Sequence, residues 1–367
     1  FLPASSQLRY AAAYILITAA ALFLLNLYAS TTIRSMTFHA QADSLESKAQ
    51  LLSNALLQLD ELSAGRAAQA VNSMEELHTT RTVVTDAAGV AVYDSLTTGN
   101  AEGKTLLFPE LITALEGSDV WNLNHAQGQP VTVSEETARL LRLALDYADK
   151  SDGALDVTIA PVSSLWDFKA ADPAVPAEEL KRAAAHVNWK NLRLEGRTAQ
   201  LLDKEMAVDL GAVAKGYIAD RLEESLRGQG VTSALINLGG NIVVLGDKNG
   251  KAWQVGIQSP FDEEALAATL EVRDKTVVTS GTYERSFRKN GVLYHHILDP
   301  RTGEPVRNGL ASVTILADGS MIADALSTAC FVLGETKGME LIAATPEAEA
   351  LFIREDGTEL RSAGFPR

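Results

Sequence analysis

Cysteine is almost missing from this chain. Cys330 is the only one in 367 residues, so these residues hold no internal disulfide. There is no CxxC and no clustered His/Cys set, which argues against a zinc site. Cys330 lies within an apolar helical pattern and reads as a small hydrophobe. Basic residues are also scarce: 32 Lys and Arg face 47 Asp and Glu, for a formal net charge of -15. A nucleic-acid binder needs a basic face to neutralise phosphates, and none is visible. Neither the Walker loop nor the dinucleotide fingerprint occurs.

Charge is wholly absent from one stretch. Between Arg9 and Arg34 lie 24 uncharged residues dense in Ala, Leu, Ile and Tyr. As a helix they would span about 36 Å, enough for a hydrocarbon core. The run is long for a cleaved signal peptide, and no crisp small-residue cleavage site follows it. The expectation is a retained single-pass membrane anchor over 1–35. No second such run follows, which places everything after Arg34 on one side.

What is present has a chemical grammar. Val208-Asp-Leu-Gly-Ala-Val-Ala-Lys-Gly-Tyr-Ile-Ala-Asp220 reads as strand, turn and helix. Backbone amides at the helix start suit a phosphate, and Lys215 lies one turn in. Asp209 would repel phosphate unless a cation or hydroxyl stood between them. Phosphate plus metal is the reading; an ordinary strand-to-helix connection is the plain alternative. In Ser320-Met-Ile-Ala-Asp-Ala-Leu-Ser-Thr-Ala-Cys-Phe-Val-Leu-Gly334, Asp324 and Thr328 stand four apart on one helical face. They are hard oxygen donors suited to Mg²⁺ or Ca²⁺. An isolated pair is more often a solvated acid and a Thr bonding to its own helix. Here the flanking residues are small and apolar, and a buried acid needs partners. Two histidines in Tyr294-His-His-Ile-Leu-Asp-Pro-Arg-Thr-Gly303 point to opposite faces of a strand, so one can be core while the other faces a site.

These segments, with Gly153-Ala-Leu-Asp-Val-Thr158, Asn237-Leu-Gly-Gly-Asn241 and Ser280-Gly-Thr-Tyr-Glu-Arg285, resemble the ApbE family of flavin transferases in the family's order, over roughly 121–367. The resemblance implies an α+β, mixed-sheet domain. It implies Mg-dependent transfer of FMN from FAD to a Thr or Ser hydroxyl of an acceptor protein, a redox membrane protein, with release of AMP. Mg²⁺ would be held by Asp324, Thr328 and the Ala212 carbonyl. FAD would be contacted by Ala154, Leu155, Asp156, Asp209, Lys215, Ile297 and Met321 (the last through its backbone), with Ser280, Gly281 and Thr282 lining the flavin region. His296, rather than His295, would be the base, and Asp324 would serve catalysis. Asp299 is expected to hold a turn, and Glu284 with Arg285 to form a structural ion pair. Trp166, Trp189 and Trp253 are expected to be core.

Three departures accompany the resemblance. The family's early Met-Gly-Thr-like strand and its Tyr before a Pro-Asp-Ser turn are not found; Gly117 to Asn124 joins other sequence directly. Loss of a strand from a central sheet would expose an edge and apolar surface. Asn241 stands where an acid is frequent. The chain opens on Phe1, as a fragment would.

Residues 36–118 read differently. Leu45, Leu52 and Leu59 repeat every seven within a helical stretch over 40–78. A hairpin follows over 81–94, then a helix-like run over 107–115. Anchor, long helix and hairpin resemble the extracytoplasmic sensing half of bacterial membrane sensor kinases. The expected organisation is therefore an anchor (1–35), a small helix-plus-hairpin sensor-like region (36–118) and a flavin-transferase-like domain (119–367). The expected location is the bacterial cell membrane, with the catalytic domain extracytoplasmic. A non-catalytic membrane sensor that binds FAD, and an FAD pyrophosphatase yielding FMN and AMP, remain as alternatives.

Overall fold

The computed structural model describes residue 52 and residues 63–74, 83–85, 91–94, 117–168, 175–262 and 264–366. The expected anchor and the helix-like run over 107–115 lie outside the described residues. Among the described residues no helix is long and apolar enough to cross a membrane. The chain divides into two compact units near residue 107.

In the first unit, helix α1 (Ala64–Asn72) buries Ala67 and Val71. Strands β1 (Val83–Thr85) and β2 (Ala91–Asp94) pair antiparallel, with a register shift at Val84/Thr85. The hairpin expected over 81–94 is therefore present.

The second unit opens with α2 (Asp119–Asn124), β3 (Val131–Thr132) and α3 (Glu135–Lys150). Ser134 caps α3: its Oγ accepts from the Thr137 amide at 3.1 Å. Glu135 and Glu136 in the first turn and Lys150 in the last complement the helix dipole. Leu140, Leu141, Ala144 and Tyr147 form the buried face. There follow α4 (Ala160–Ser163), α5 (Ala177–Ala184), β4 (Leu192–Glu195), β5 (Thr198–Leu201) and α6 (Gly211–Gly228). Strands β3, β5 and β4 make a small antiparallel sheet.

The next elements supply strands of the main sheet and two separate hairpins. They are β6 (Ala234–Leu238), β7 (Asn241–Leu245), β8 (Trp253–Gln258), β9 (Leu266–Val272), β10 (Lys275–Gly281), β11 (Ser286–Lys289), β12 (Val292–His295) and β13 (Leu310–Ala317). The hairpins are β8–β9 and β11–β12. Helices α7 (Ser320–Leu333) and α8 (Glu335–Ala343) and strands β14 (Glu349–Arg354) and β15 (Glu359–Arg361) complete the unit. Six strands form the central sheet in the order β15-β14-β13-β10-β7-β6. The α+β organisation is as expected, but the sheet is antiparallel at every ladder rather than mixed. Among the described residues, parallel contact is confined to a bridge between Ile159 and Ala207.

The sheet lies between two covers. Helices α6 and α7 pack on one face, where Val278, Val313 and Ile315 join the larger core with Phe331 and Leu326. The β8–β9 hairpin covers the other, through Val255, Ile257, Leu270 and Val272 against Val244, Val277 and Leu316. Strand β13 is buried at all eight positions because both its faces are covered. The β6 edge pairs only with β7 in this sheet, and Leu235 on it is 41% exposed.

Candidate active site

The site forms where α6 and α7 meet. Gly216 makes the approach possible. A Cβ there would stand 2.2 Å from the Ser320 carbonyl oxygen and 2.7 Å from Met321 Cα, so any side chain would push the helices apart. With the backbones this close, the Gly216 amide donates to Asp324 Oδ2 at 2.9 Å. Asp324 is 3% exposed. Burial pushes its carboxyl above the usual range; Lys215 and the Gly216 amide oppose that shift. Lys215 Nζ lies 3.7 Å from Asp324 Oδ1 and donates to Asn241 Oδ1 at 3.1 Å. Helix α6 returns the support: both oxygens of Asp220 accept from the first amides of α7, Ser320 at 2.6 Å and Met321 at 2.9 Å. The residue before α7 is Gly319, which has no side chain to cap with, so Asp220 caps the helix from outside.

The donor set suits a hard cation. Thr328 lies one turn beyond Asp324 on α7, half-buried. Its neighbour Ser327 is spent, bonding the Asp324 carbonyl and Ser280 Oγ at 2.9 and 2.8 Å. Ala212 is the residue four before Gly216 in α6. With the Gly216 amide engaged by Asp324, its carbonyl has a lone pair to spare. Among the described residues no three His, Cys, Asp or Glu side chains cluster as a metal site. A cation here would therefore rest on one carboxylate, a hydroxyl and a carbonyl, which fits Mg²⁺ with retained waters better than zinc.

The start of α6 differs from expectation. Where a strand was expected before it, there is one parallel bridge, Ala207 with Ile159, and the Asp209 amide donates to the Val157 carbonyl at 2.7 Å. The Val208 backbone is paired instead by a side chain: its amide donates to Asn124 Oδ1 at 2.7 Å and its carbonyl accepts from Asn124 Nδ2 at 3.0 Å. The Asn124 amide does the work of a neighbouring strand. Asp209 accepts from the Gly211 amide (2.8 Å) and Ser163 Oγ (3.0 Å). The expected set of open amides is thus partly closed by Asp209, which also holds the turn.

The two histidines have separate surroundings. His295 is buried, with Nε2 donating to the Val306 carbonyl at 2.9 Å and Nδ1 accepting from the Ile297 amide at 3.3 Å. It is a structural residue. His296 places Nδ1 3.0 Å from the Glu284 carbonyl. A carbonyl only accepts, so Nδ1 carries the proton and Nε2 is left as a bare acceptor. Burial lowers the His296 pKa to about 4, with the Glu284 carbonyl opposing the shift. Glu284 makes no ion pair with Arg285, which is exposed. Its carboxyl is raised by burial and further by Asp324, and lowered by Lys215 and Arg285.

Other expected residues are placed as follows. Ala154 and Leu155 are core, with the Leu155 amide bonded to Ser151 Oγ at 3.0 Å. Asp156 is buried and committed. One oxygen accepts from the Thr158 amide and hydroxyl (2.8 and 2.7 Å), the other from the Trp189 amide (2.9 Å). Met321 has its amide on Asp220. Ile297 packs in the larger core, and its carbonyl takes the Val306 amide at 3.0 Å. Ser280 reaches Ser327. Gly281 is roofed by the Tyr283 ring, and the Thr282 amide pairs with the Ala311 carbonyl. Asp299 holds its turn by accepting from the Arg301 amide at 2.9 Å. Trp166 is core, its Nε1 donating to the Gly303 carbonyl. Asn124, Ser163, Asp220 and the Glu284 carbonyl were not singled out from sequence in these roles. Asp220 alone had a signal, an acid four residues after Gly216 on the same small-residue face of α6.

The ApbE family model matches residues 109–352. The FAD:protein FMN transferase of Treponema pallidum (strain Nichols) is 40% identical over 258 residues, covering 65% of this chain and 71% of that protein. That of Klebsiella pneumoniae (strain 342) is 39% identical over 241 residues, covering 64% and 75%. Among solved structures, the flavin transferase ApbE of Vibrio cholerae superposes with a TM-score of 0.62 at 35% identity, over 68% of this chain and 82% of that one. The ApbE protein of Thermotoga maritima superposes with a TM-score of 0.64 at 34% identity, over 71% of this chain and 85% of that one. The family match spans the α6–α7 junction, the His-His turn and the central sheet into β14, and the chain belongs to the ApbE family.

Proposed function

We propose that this chain transfers FMN from FAD to a Thr or Ser hydroxyl of an acceptor protein, in a Mg²⁺-dependent reaction that releases AMP. The observation that carries the reading is the junction of Asp324, Gly216, Lys215 and Asn241, beside a histidine with one free ring nitrogen. It joins a buried carboxylate to a half-exposed ammonium, as a dinucleotide pyrophosphate and a cation require. The relatives named FAD:protein FMN transferase support the same reading.

Asp324, Thr328 and the Ala212 carbonyl would hold Mg²⁺, whose charge stabilises the negative charge of a reacting pyrophosphate. Lys215 binds a phosphate oxygen of FAD. His296 Nε2 takes the proton as the acceptor hydroxyl oxygen bonds the FMN phosphorus. The bond from that phosphorus to AMP breaks, and AMP leaves with the electron pair. His296 is neutral at pH 7 with Nδ1 already protonated, so it enters the step in the accepting tautomer. Asp209 and Asp156 hold the walls rather than the substrate. The acceptor is a redox membrane protein, and a membrane anchor before the described residues would place the domain outside the cytoplasm.

The test mixes the protein with FAD, Mg²⁺ and an acceptor domain, and reads covalent flavin fluorescence on a denaturing gel. A Mg²⁺-dependent band with matching AMP release is expected. AMP and free FMN without a band would make the protein a pyrophosphatase; bound FAD with neither product would make it a binding module.

A further inference from the structure

Asn241 is a buried side chain that the mechanism above does not use. It opens β7 directly after the two-residue turn Gly239-Gly240, whose φ angles of 56° and 93° suit the tight hairpin. Its backbone is fixed on both sides, opposite Leu238 in β6 and Val278 in β10. The residue is 0% exposed. Oδ1 accepts from Lys215 Nζ at 3.1 Å. Because an ammonium only donates, the amide orientation is determined: oxygen toward Lys215, nitrogen away. Nδ2 is buried and has no hydrogen-bond partner. The amide lies close enough to Asp324 to oppose the upward shift that burial gives its carboxyl, but Nδ2 forms no hydrogen bond. A buried donor without a partner beside a binding site calls for an explanation.

We propose that Asn241 is a positioning residue that holds Lys215 on a neutral acceptor, so that the ammonium keeps its charge for the substrate's pyrophosphate instead of spending it on Asp324. The inference rests on the FAD reading above. Lys215 has two acceptors within reach. It makes a hydrogen bond to the neutral amide at 3.1 Å and stands farther, at 3.7 Å, from the carboxylate. A neutral oxygen orients an ammonium without cancelling its field. A carboxylate at position 241 would cancel it and place a second negative charge beside Asp324. Anion binding would then depend on a divalent cation. An apolar side chain would release Lys215 onto Asp324.

The experiment measures FAD dissociation constants by flavin fluorescence, in EDTA and in Mg²⁺, for the full chain and for Asn241→Asp and Asn241→Leu. Thermal unfolding of each variant checks the fold. For Asn241→Asp, affinity in EDTA should fall by about tenfold or more, and the gap to wild type should narrow to about threefold or less in Mg²⁺. Asn241→Leu should weaken binding by about tenfold in both conditions, since no cation restores a lost acceptor. Equal weakening of Asn241→Asp with and without Mg²⁺ would mark a merely structural role and overturn the inference, as would no weakening at all. Covalent transfer by wild type, run in parallel, separates the two readings. Wild type that binds FAD but transfers nothing sinks the transferase and leaves Asn241 to be judged on binding. Wild type that transfers, with unaltered Asn241→Asp binding, sinks this inference alone. Wild type that binds no FAD sinks both.

Discussion

The Gly216 amide donates to Asp324 Oδ2 at 2.9 Å across two helices 108 residues apart in sequence. That bond fixes a buried carboxylate by backbone rather than by a flexible side chain. It leaves Oδ1 facing Lys215. The proposed cation and phosphate positions are therefore set by how closely α6 and α7 approach.

Asp324→Asn preserves the shape and removes the charge. Transfer activity should fall by about 10²–10³-fold. Stability should stay level or rise, because the desolvated charge is gone and Lys215, 36% exposed, is readily solvated. Flavin transfer and urea midpoints, measured together, check this. A variant with near-normal transfer would remove Asp324 from the reaction.

Gly216→Ala should cost about 1–3 kcal/mol, the usual penalty of overpacking, because the new methyl meets the Ser320 carbonyl rather than a movable side chain. Chemical denaturation reads the loss directly. A cost under about 0.5 kcal/mol, the range of ordinary surface changes, would mean that the helices are not in backbone contact.

Asp220→Ala should destabilise by about 1–2 kcal/mol through loss of the α7 cap. Asp220→Asn, which keeps one acceptor, should recover part of it. FAD binding should weaken alongside, since α7 carries Asp324. Stability loss with unchanged FAD affinity would show that the cap does not position the carboxylate.

The His296 pKa, lowered to about 4, gives a pH signature. Between about 4 and 6.5 the unfolded chain binds a proton that the folded chain refuses. The native state therefore loses stability as pH falls through that window, by at most about 3 kcal/mol from this group. His296→Gln should flatten the slope between pH 7 and pH 5 while abolishing transfer. His295, whose pKa is also lowered by burial, leaves a residual slope. Identical pH slopes for wild type and His296→Gln would contradict the burial of a neutral imidazole.

Much of this site was legible in sequence because its chemistry is local. The Ser134 cap needs only a helix pattern behind it, and the Asp324–Thr328 pair needs only a spacing of four. Preference for His296 over His295 came from a motif, and the free Nε2 agrees with it. The strand expected before Asp209 shrinks to one bridge, because Val208 itself pairs with the Asn124 side chain, 84 residues away, and a side-chain amide leaves no strand pattern. Strand β7 was not singled out in the sequence, although Gly239-Gly240 form the tight turn that starts it. The Glu284–Arg285 pair was read from adjacency; burial and the neighbouring Lys215 decided otherwise. The first unit was legible as a hairpin, and its anchor reading stands outside the described residues.

Asp220 and Asp324 hold each other's helices. One carboxylate of α6 ties down the start of α7, and one of α7 grips an amide of α6. Such reciprocal stapling makes the lysine and the carboxylate parts of a single rigid gauge. Its spacing is set by the two helix backbones together with the Asn241 hold on Lys215, so a ligand must match it rather than reshape it. Selection between a dinucleotide and a mononucleotide would then come from the fixed separation of two charges, and loosening either staple should blunt that discrimination before it abolishes binding.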